Sequence, residues 1–317
     1  VKPGDVITHL GGAAVTAAAA DQLFAKLMYP PGVGYDPRSS IYRSGTFELG
    51  IRRGDAARTV SLTTEDYAAE TVFGVVRKDD GTWNGVLDPD YRIGYVRVGW
   101  VDSWTPAAVA RVVGDLAGGG CRGLVLDLRW CPGGYVLEGT EIAGLFLPPS
   151  AVVARIELLP AVVKKPTQNY VTTYQTKTTG PRFPAVPLVV LVGGETTGGG
   201  ELIAAALQTH GRAAVVGQRT VGRAATQKAL TVGYADLNFK ATYGMSLRPD
   251  GRPRHRSPTS APTDDWGIRP DSGLEVPTTP DVAAQLRGWA EEHSLRAPDD
   301  RRVLPFDDPD RDPFRAT

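Results

Sequence analysis

The chain has 317 residues, and its 35 basic and 35 acidic side chains leave a formal net charge of zero. Hydrophobic residues make up 42% and charged residues 22%, a composition that indicates a packed globular protein and excludes a disordered one. No basic stripe is present, so nucleic acid is not expected as a partner. No apolar run of about 18 residues is present either, so no membrane span is expected.

The two cysteines, Cys121 and Cys131, are predicted to be buried thiols. Their spacing matches no common zinc pattern, and two cysteines do not make a disulfide framework. The four histidines are scattered and are given no role. We therefore expect no metal ion and no other cofactor. The chain begins with Val1 rather than Met, and we interpret it as a fragment of a longer protein.

The first predicted segment covers residues 1–67, and a connector of mixed character follows over residues 68–90. Alternating apolar residues and glycine-rich turns predict a strand, a helix and two further strands in this segment. These elements are predicted at Asp5–Leu10, Thr16–Leu27, Phe47–Arg52 and Thr59–Leu62.

The second predicted segment covers residues 91–295, and residues 296–317 are expected to form a loose tail. Strands alternate with helices here, which indicates an α/β fold with a mostly parallel sheet flanked by helices. The predicted strands are Ile93–Val98, Gly123–Leu128, Pro187–Val192 and Ala213–Val216. The predicted helices are Thr105–Leu116, Tyr135–Leu145, Gly199–His210 and Thr279–His293, and Lys228–Leu247 is predicted to contain strands and turns.

Three loops that follow predicted strands carry the residues that suggest chemistry, since α/β folds place their sites after the strands. The first runs from Asp127 to Gly134 and ends in Pro-Gly-Gly before a helix. Its glycines let a ligand approach the backbone, and N–H groups at a helix start can stabilise negative charge. A tight strand-to-helix turn without a function is the alternative interpretation.

The second loop, Val192–Glu201, has the strand-turn-helix form of an elbow that lifts a nucleophile out of a sheet. It contains glycines and two threonines, Thr196 and Thr197, but no Ser or Cys. Helix capping is the alternative role for the threonines. A phosphate-binding loop is another alternative, but the Gly-Lys-Ser/Thr ending is missing. The third loop, Gly217–Gln227, would on its own be interpreted as a plain loop.

Together the loops resemble those of the carboxyl-terminal processing peptidases, also called tail-specific proteases. In that family the first loop reads Asp-Leu-Arg-Asn-Asn-Pro-Gly-Gly, the elbow reads Ser-Ala-Ser-Ala-Ser-Glu, and the third loop ends Gly-Lys-Gly-x-x-Gln. Val1–Val15 resembles the middle of a PDZ module, and Trp266–Asp271 resembles the family's Gly-Ile-x-Pro-Asp segment. The resemblance implies a crotonase/ClpP-like core preceded by a partial PDZ domain, and a location outside the cytoplasm.

The resemblance also implies a serine peptidase with a Ser-Lys dyad, acting on a polypeptide or on a peptide C-terminus. The family's elbow Glu falls on Glu201, which places the nucleophile at Gly198 and the lysine at Arg223; Gln227 is retained. Glycine has no side chain to acylate, and arginine is always protonated and cannot act as a general base. The backbone N–H groups that would stabilise an oxyanion belong to Gly133, Gly134 and Gly199.

Three hypotheses about activity follow from the two substitutions. The chain binds peptides without cleaving them; or it cleaves them with Thr197 as a displaced nucleophile and Lys228 as the base; or the alignment is misplaced and another residue serves. A module that only recruits the C-terminus of a partner is a further alternative. Because the PDZ part begins late, we expect it to capture such tails weakly or not at all. The sequence does not predict the oligomeric state.

Overall fold

The structure is a computed structural model that describes residues 5–16, 46–63, 70–78, 81–159, 170–232 and 237–294. It divides into two compact units. The first comprises Val1–Ala69 and Lys228–Ala241, and the second comprises Glu70–Gln227 and Thr242–Thr317. The predicted domain boundaries, after residues 67, 90 and 295, are not tested by this division and remain predictions. The predicted tail, and the predicted helix Thr16–Leu27 beyond Thr16, lie outside the described residues.

The first unit contains an antiparallel sheet in the order β2-β1-β3-β4. Its strands are β1 (Val6–Leu10), β2 (Ala13–Ala14), β3 (Thr46–Arg53) and β4 (Ala56–Thr63). Leu10, Leu49 and Ile51 form its buried core. A turn at Gly54 and Asp55 joins β3 to β4.

The second unit is built on a six-stranded sheet in the order β14-β13-β10-β9-β5, with β8 also pairing with β9. The strands β14, β13, β10 and β9 are parallel, and β5 and β8 run antiparallel to β9. These six strands are β5 (Val72–Phe73), β8 (Val86–Asp88), β9 (Ile93–Val98), β10 (Gly123–Asp127), β13 (Leu188–Val192) and β14 (Ala214–Gly217). The mixed α/β fold and the four predicted parallel strands are therefore confirmed.

One row of paired residues shows why the apolar sequences of the four parallel strands are buried in the sheet. Val96, Leu126, Val190 and Val215 lie side by side on the four parallel strands, and each is 0% exposed. Helices cover the sheet, because apolar residues of the first three of them join the same core cluster. The helices are α1 (Thr105–Gly118), α2 (Val136–Gly144), α3 (Gly198–Thr209) and α4 (Pro280–Ser294). Most of α3 is buried, including Leu202, Ile203 and Leu207.

Two parts of the described chain differ from the expectation. Residues 68–90, expected as a connector, contain four short strands: β5 and β8 of the large sheet, and the pair β6 (Val76–Arg77) and β7 (Trp83–Asn84). A further sheet in the order β12-β11-β16-β15 was only partly anticipated. It consists of β11 (Val152–Leu158), β12 (Val171–Gln175), β15 (Ala225–Val232) and β16 (Leu237–Leu247), and β11 is antiparallel to both of its neighbours.

Candidate active site

The three loops singled out in the sequence follow β10, β13 and β14, which are neighbouring parallel strands. Their starting points therefore lie at one edge of the sheet. Hydrogen bonds tie the loops together: the Thr197 N–H donates to the Cys131 carbonyl (2.9 Å), and the Val221 N–H donates to the Thr196 carbonyl (3.1 Å). The elbow at the start of α3 thus lies between the other two loops.

A buried ion pair holds the beginning of the first loop. Arg129 donates to Asp127 with an N–O distance of 2.7 Å, and the Tyr95 hydroxyl donates to the same carboxylate at 2.7 Å. Burial opposes ionisation of Asp127, but the charge and hydrogen bonds of Arg129 outweigh it and hold the pKa of the carboxyl below its usual value. The Arg129 guanidinium also lies over the Trp130 ring, 4.3 Å from its centroid.

The turn Gly133–Gly134 follows, with φ angles of +133° and +135°. Residues with a side chain rarely adopt this conformation, so the Pro-Gly-Gly sequence fits the turn. Val101 donates its N–H to the Gly133 carbonyl (3.0 Å) and accepts from the Tyr135 N–H (3.0 Å). A Cβ built at Gly134 would lie 2.0 Å from the Val101 carbonyl oxygen, so only glycine allows this close backbone approach.

Gly198 faces this turn from the elbow. Its φ is +51°, and a Cβ built there would lie 3.2 Å from the Cα of Gly133. The N–H groups of Gly134 and Gly199 make no hydrogen bond to another described residue. Gly134 is exposed and Gly199 is buried. The structure therefore brings Gly133, Gly198 and Gly199 close together, with Gly134 next to them in the turn.

The two elbow threonines are not bonded as helix caps. Thr196 is 0% exposed; its hydroxyl donates to the Leu128 carbonyl (2.7 Å) and accepts from the Gly193 N–H (2.9 Å). Thr197 occupies the position before α3, but its side chain makes no capping hydrogen bond. Its hydroxyl donates instead to the Pro132 carbonyl (2.7 Å), and the residue is 7% exposed. Both hydroxyls therefore tie the elbow to the first loop.

Glu201 is the residue on which the site converges. One carboxylate oxygen accepts the backbone N–H of Gly198 (3.1 Å) and of Arg223 (2.9 Å) and contacts the Arg254 guanidinium (3.2 Å). The other oxygen accepts the Gly222 N–H (2.6 Å) and the Thr220 hydroxyl. The side chains of Glu201 and Arg254 are 0% and 3% exposed. This carboxylate therefore holds the backbone of the elbow and of the third loop in one place.

The remaining predicted site residues differ in their placement. The Arg223 backbone is anchored by Glu201, whereas its side chain is exposed and forms no ion pair with any residue that the structure describes. Gln227 is exposed and lies in strand β15, at the boundary between the two units. Lys228 is exposed as well and belongs to the first unit.

Cys131 lies beneath the elbow and is 0% exposed. Burial raises the pKa of its thiol to about 12, so the sulfur stays protonated at neutral pH. Cys121 is only partly buried, which corrects the expectation that both thiols are buried.

These environments predict selective alkylation. At pH 8 iodoacetamide should modify Cys121, whereas Cys131 should react only after the protein is unfolded in urea. Peptide mass spectrometry of native and unfolded samples checks this. Equal rates for the two native thiols would contradict the burial of Cys131.

Sequence reasoning missed three residues of the site. Thr220 and Arg254 complete the environment of Glu201, and Val101 supports the glycine turn. Thr220 and Arg254 lie 19 and 53 positions from Glu201 in the chain, so no local pattern indicates their contact. Among the described residues there is no group of three or more His, Cys, Asp or Glu side chains that could hold a metal ion. No described helix is long and apolar enough to cross a membrane.

Comparison with known proteins gives a consistent result. A sequence model described as Peptidase family S41 matches residues 92–273. A carboxyl-terminal-processing protease of Picosynechococcus sp. is 32% identical over 233 residues, which cover 70% of this chain and 51% of that protein. The carboxy-terminal processing protease CtpA of Bacillus subtilis is 23% identical over 281 residues, covering 87% of this chain and 50% of that protein. The chain thus spans about half the length of these curated relatives.

Among solved structures, the photosystem II D1 C-terminal processing protease matches with a TM-score of 0.50 and 22% sequence identity. The match covers 94% of this chain and 69% of that one. At this identity the likeness shows a shared fold.

Proposed function

Because the chain is a member of peptidase family S41, we propose that it binds extended polypeptides at the elbow of α3 and does not hydrolyse them through a Ser-Lys dyad. The predicted resemblance to carboxyl-terminal processing peptidases is confirmed at the level of the family. Peptide binding, the lack of hydrolysis and the site residues are the proposal.

One observation carries it. A single oxygen of Glu201 accepts the backbone N–H groups of both Gly198 and Arg223, at 3.1 and 2.9 Å. The two positions expected to form the dyad are therefore neighbours in space, as a nucleophile and its base must be. The residues at these positions are glycine and arginine, so the arrangement supports the loss of both reacting groups and argues against a misplaced alignment.

The chemistry that the remaining groups can perform is binding. A peptide carbonyl beside the elbow would meet the N–H groups of Gly134 and Gly199, which suit an oxygen that carries negative charge. No atom of Gly198 can attack the carbonyl carbon, and a guanidinium cannot remove a proton from a nucleophile. Formation of an acyl-enzyme therefore lacks both its nucleophile and its general base at these positions.

Thr197 as a displaced nucleophile is the less favoured alternative. Its hydroxyl already donates to the Pro132 carbonyl at 2.7 Å, and a carbonyl oxygen is too weak a base to take the proton. The residue is 7% exposed, which limits access by a polypeptide. These contacts favour a structural role for the hydroxyl.

Further parts of the proposal rest on the resemblance. We infer that residues 1–67 form part of a PDZ domain, which binds peptides by adding a strand to a sheet. The antiparallel sheet β2-β1-β3-β4 is consistent with this inference. A crotonase/ClpP-like core for residues 91–295 and a location outside the cytoplasm are proposed on the same basis. A module that only recruits partner C-termini is not favoured by any contact of the described residues.

The proposal predicts a gain of activity in a reconstructed dyad. The unmodified protein and Thr197→Ala should release no peptides from casein, whereas Gly198→Ser with Arg223→Lys should release them. Gly198→Ala with Arg223→Lys is the matched control: its Cβ has the same conformation and the same 3.2 Å contact with Gly133, but it has no hydroxyl. Cleavage is measured by mass spectrometry of the released peptides.

Binding is measured in parallel, by the fluorescence anisotropy of a labelled unstructured peptide. Turnover by the unmodified protein that Thr197→Ala abolishes would identify Thr197 as the nucleophile and overturn the proposal. Turnover that none of these changes affects would show that another residue serves. Absence of peptide binding would contradict the proposed function itself.

A further inference from the structure

We propose that the elbow receives a carboxylate of the bound polypeptide, and that Arg223 is the residue that selects it. The inference rests on the proposed function and adds the chemical class of the ligand group. It assigns to the arginine a role that depends on its permanent charge, where a lysine in the Ser-Lys mechanism must lose its charge to act as a base.

Arg223 combines a backbone that is fixed by hydrogen bonds with a side chain that is exposed. Its N–H donates to Glu201 (2.9 Å), and its carbonyl accepts from Arg254 (3.4 Å), so the backbone is fixed beside the elbow. Its side chain is exposed and forms no ion pair with a residue in the described part of the chain. The guanidinium is therefore available to a ligand while its point of attachment stays constant.

The glutamates of the elbow, Glu195 and Glu201, are paired with arginines other than Arg223. The carboxylate of Glu201 is buried and paired with Arg254 at 3.2 Å, so it does not neutralise the Arg223 side chain. The nearby Glu195 pairs with Arg287. The backbone N–H of the exposed Arg256 donates to the Gly222 carbonyl (2.8 Å), and its guanidinium lies over the Trp266 ring, 4.5 Å from the ring centroid. The loop Gly217–Gln227 itself contains two arginines, Arg219 and Arg223, and no acidic residue, so its formal charge is positive.

Two groups of a polypeptide could occupy the site, a peptide carbonyl or a carboxylate. A peptide carbonyl acquires a full negative charge only after a nucleophile has attacked it, and Gly198 offers no nucleophile. A carboxylate carries its charge permanently, and its two oxygens match the planar fork of a guanidinium, which binds them through two parallel hydrogen bonds. A permanent cation beside a site without a nucleophile therefore fits an anion better than a neutral amide.

The experiment uses two labelled peptides of the same apolar sequence, one ending in a free α-carboxylate and the other in an amide. The unmodified protein should bind the free acid about fivefold more tightly at low salt, which is the effect expected of a partly exposed ion pair. Arg223→Gln should reduce this preference to less than about twofold. Fluorescence anisotropy gives all four affinities.

Arg111→Gln is the matched control, because Arg111 is an exposed arginine on α1 that also lacks an ion pair among the described residues. It should keep the full preference for the free acid. Equal affinity of the unmodified protein for both peptides would overturn this inference and leave the proposed function intact. A preference that persists in Arg223→Gln would overturn the role of Arg223 by showing that another part of the chain recognises the carboxylate. Failure of both peptides to bind would overturn the proposed function together with the inference.

Discussion

Glu201→Gln should lower the free energy of unfolding by about 3–5 kcal/mol, because it removes one partner of a buried ion pair. The guanidinium of Arg254 would keep its charge in a site where it is 3% exposed. Every group that contacts Glu201 is a donor: three backbone N–H groups, the Thr220 hydroxyl and Arg254. The NH₂ group of a glutamine would therefore oppose donors in either orientation.

Urea unfolding followed by tryptophan fluorescence measures the effect in the relevant part of the chain, since all six tryptophans lie after residue 69. Glu195→Gln is the control: it removes a carboxylate of the same elbow whose side chain is 46% exposed and whose partner is Arg287. Loss of this exposed pair should change stability by about 0.5 kcal/mol. A change of less than about 1 kcal/mol for Glu201→Gln would contradict the proposed importance of the buried pair.

A second change separates the two causes of the loss. Adding Arg254→Met to Glu201→Gln removes the unpaired charge and should recover part of the stability of the single variant. Recovery should be incomplete, since the N–H groups of Gly198, Gly222 and Arg223 would still lack their carboxylate acceptor. No recovery would mean that the backbone donors, and not the ion pair, account for the loss.

The contacts of Glu201 also show how far the sequence predicts this protein. Strands β9, β10, β13 and β14 were predicted to within one or two residues, because each is a short apolar run between turn residues and is buried on forming the sheet. Strand β12, Val-Thr-Thr-Tyr-Gln, was not predicted: most of its side chains are exposed, so it lacks an apolar run.

The site was predictable where it consists of neighbours along the chain. The glycine turn and the elbow could be recognised from local spacing, whereas Gly198 and Arg223 were assigned through the resemblance to the family, with Glu201 at the position of the family's elbow Glu. The partners of Glu201 could not be recognised in this way. A buried arginine such as Arg254 looks like a surface residue in the sequence, since burial of its charge depends on a carboxylate 53 positions away.

The glycine turn allows the second large prediction, a loss of about 3–5 kcal/mol of stability in Gly134→Ala. Two costs add in this variant. The backbone would hold an alanine at φ +135°, and its Cβ would be built 2.0 Å from the Val101 carbonyl oxygen. Relief of the clash requires the turn to move away from Val101, which would break the hydrogen bonds that Val101 makes to Gly133 and Tyr135.

Gly133→Ala separates the two costs because it shares one of them. Gly133 has nearly the same φ, +133°, but a Cβ built there would meet its nearest atom, the Thr197 hydroxyl oxygen, at 3.8 Å, an ordinary contact. This variant should lose only the conformational cost, about 1–3 kcal/mol. Urea unfolding of both variants gives the difference, which isolates the close approach of Val101. Equal losses would show that conformation alone requires glycine in this turn. A larger loss in Gly134→Ala would show that the close approach of Val101 adds a packing cost to the conformational one.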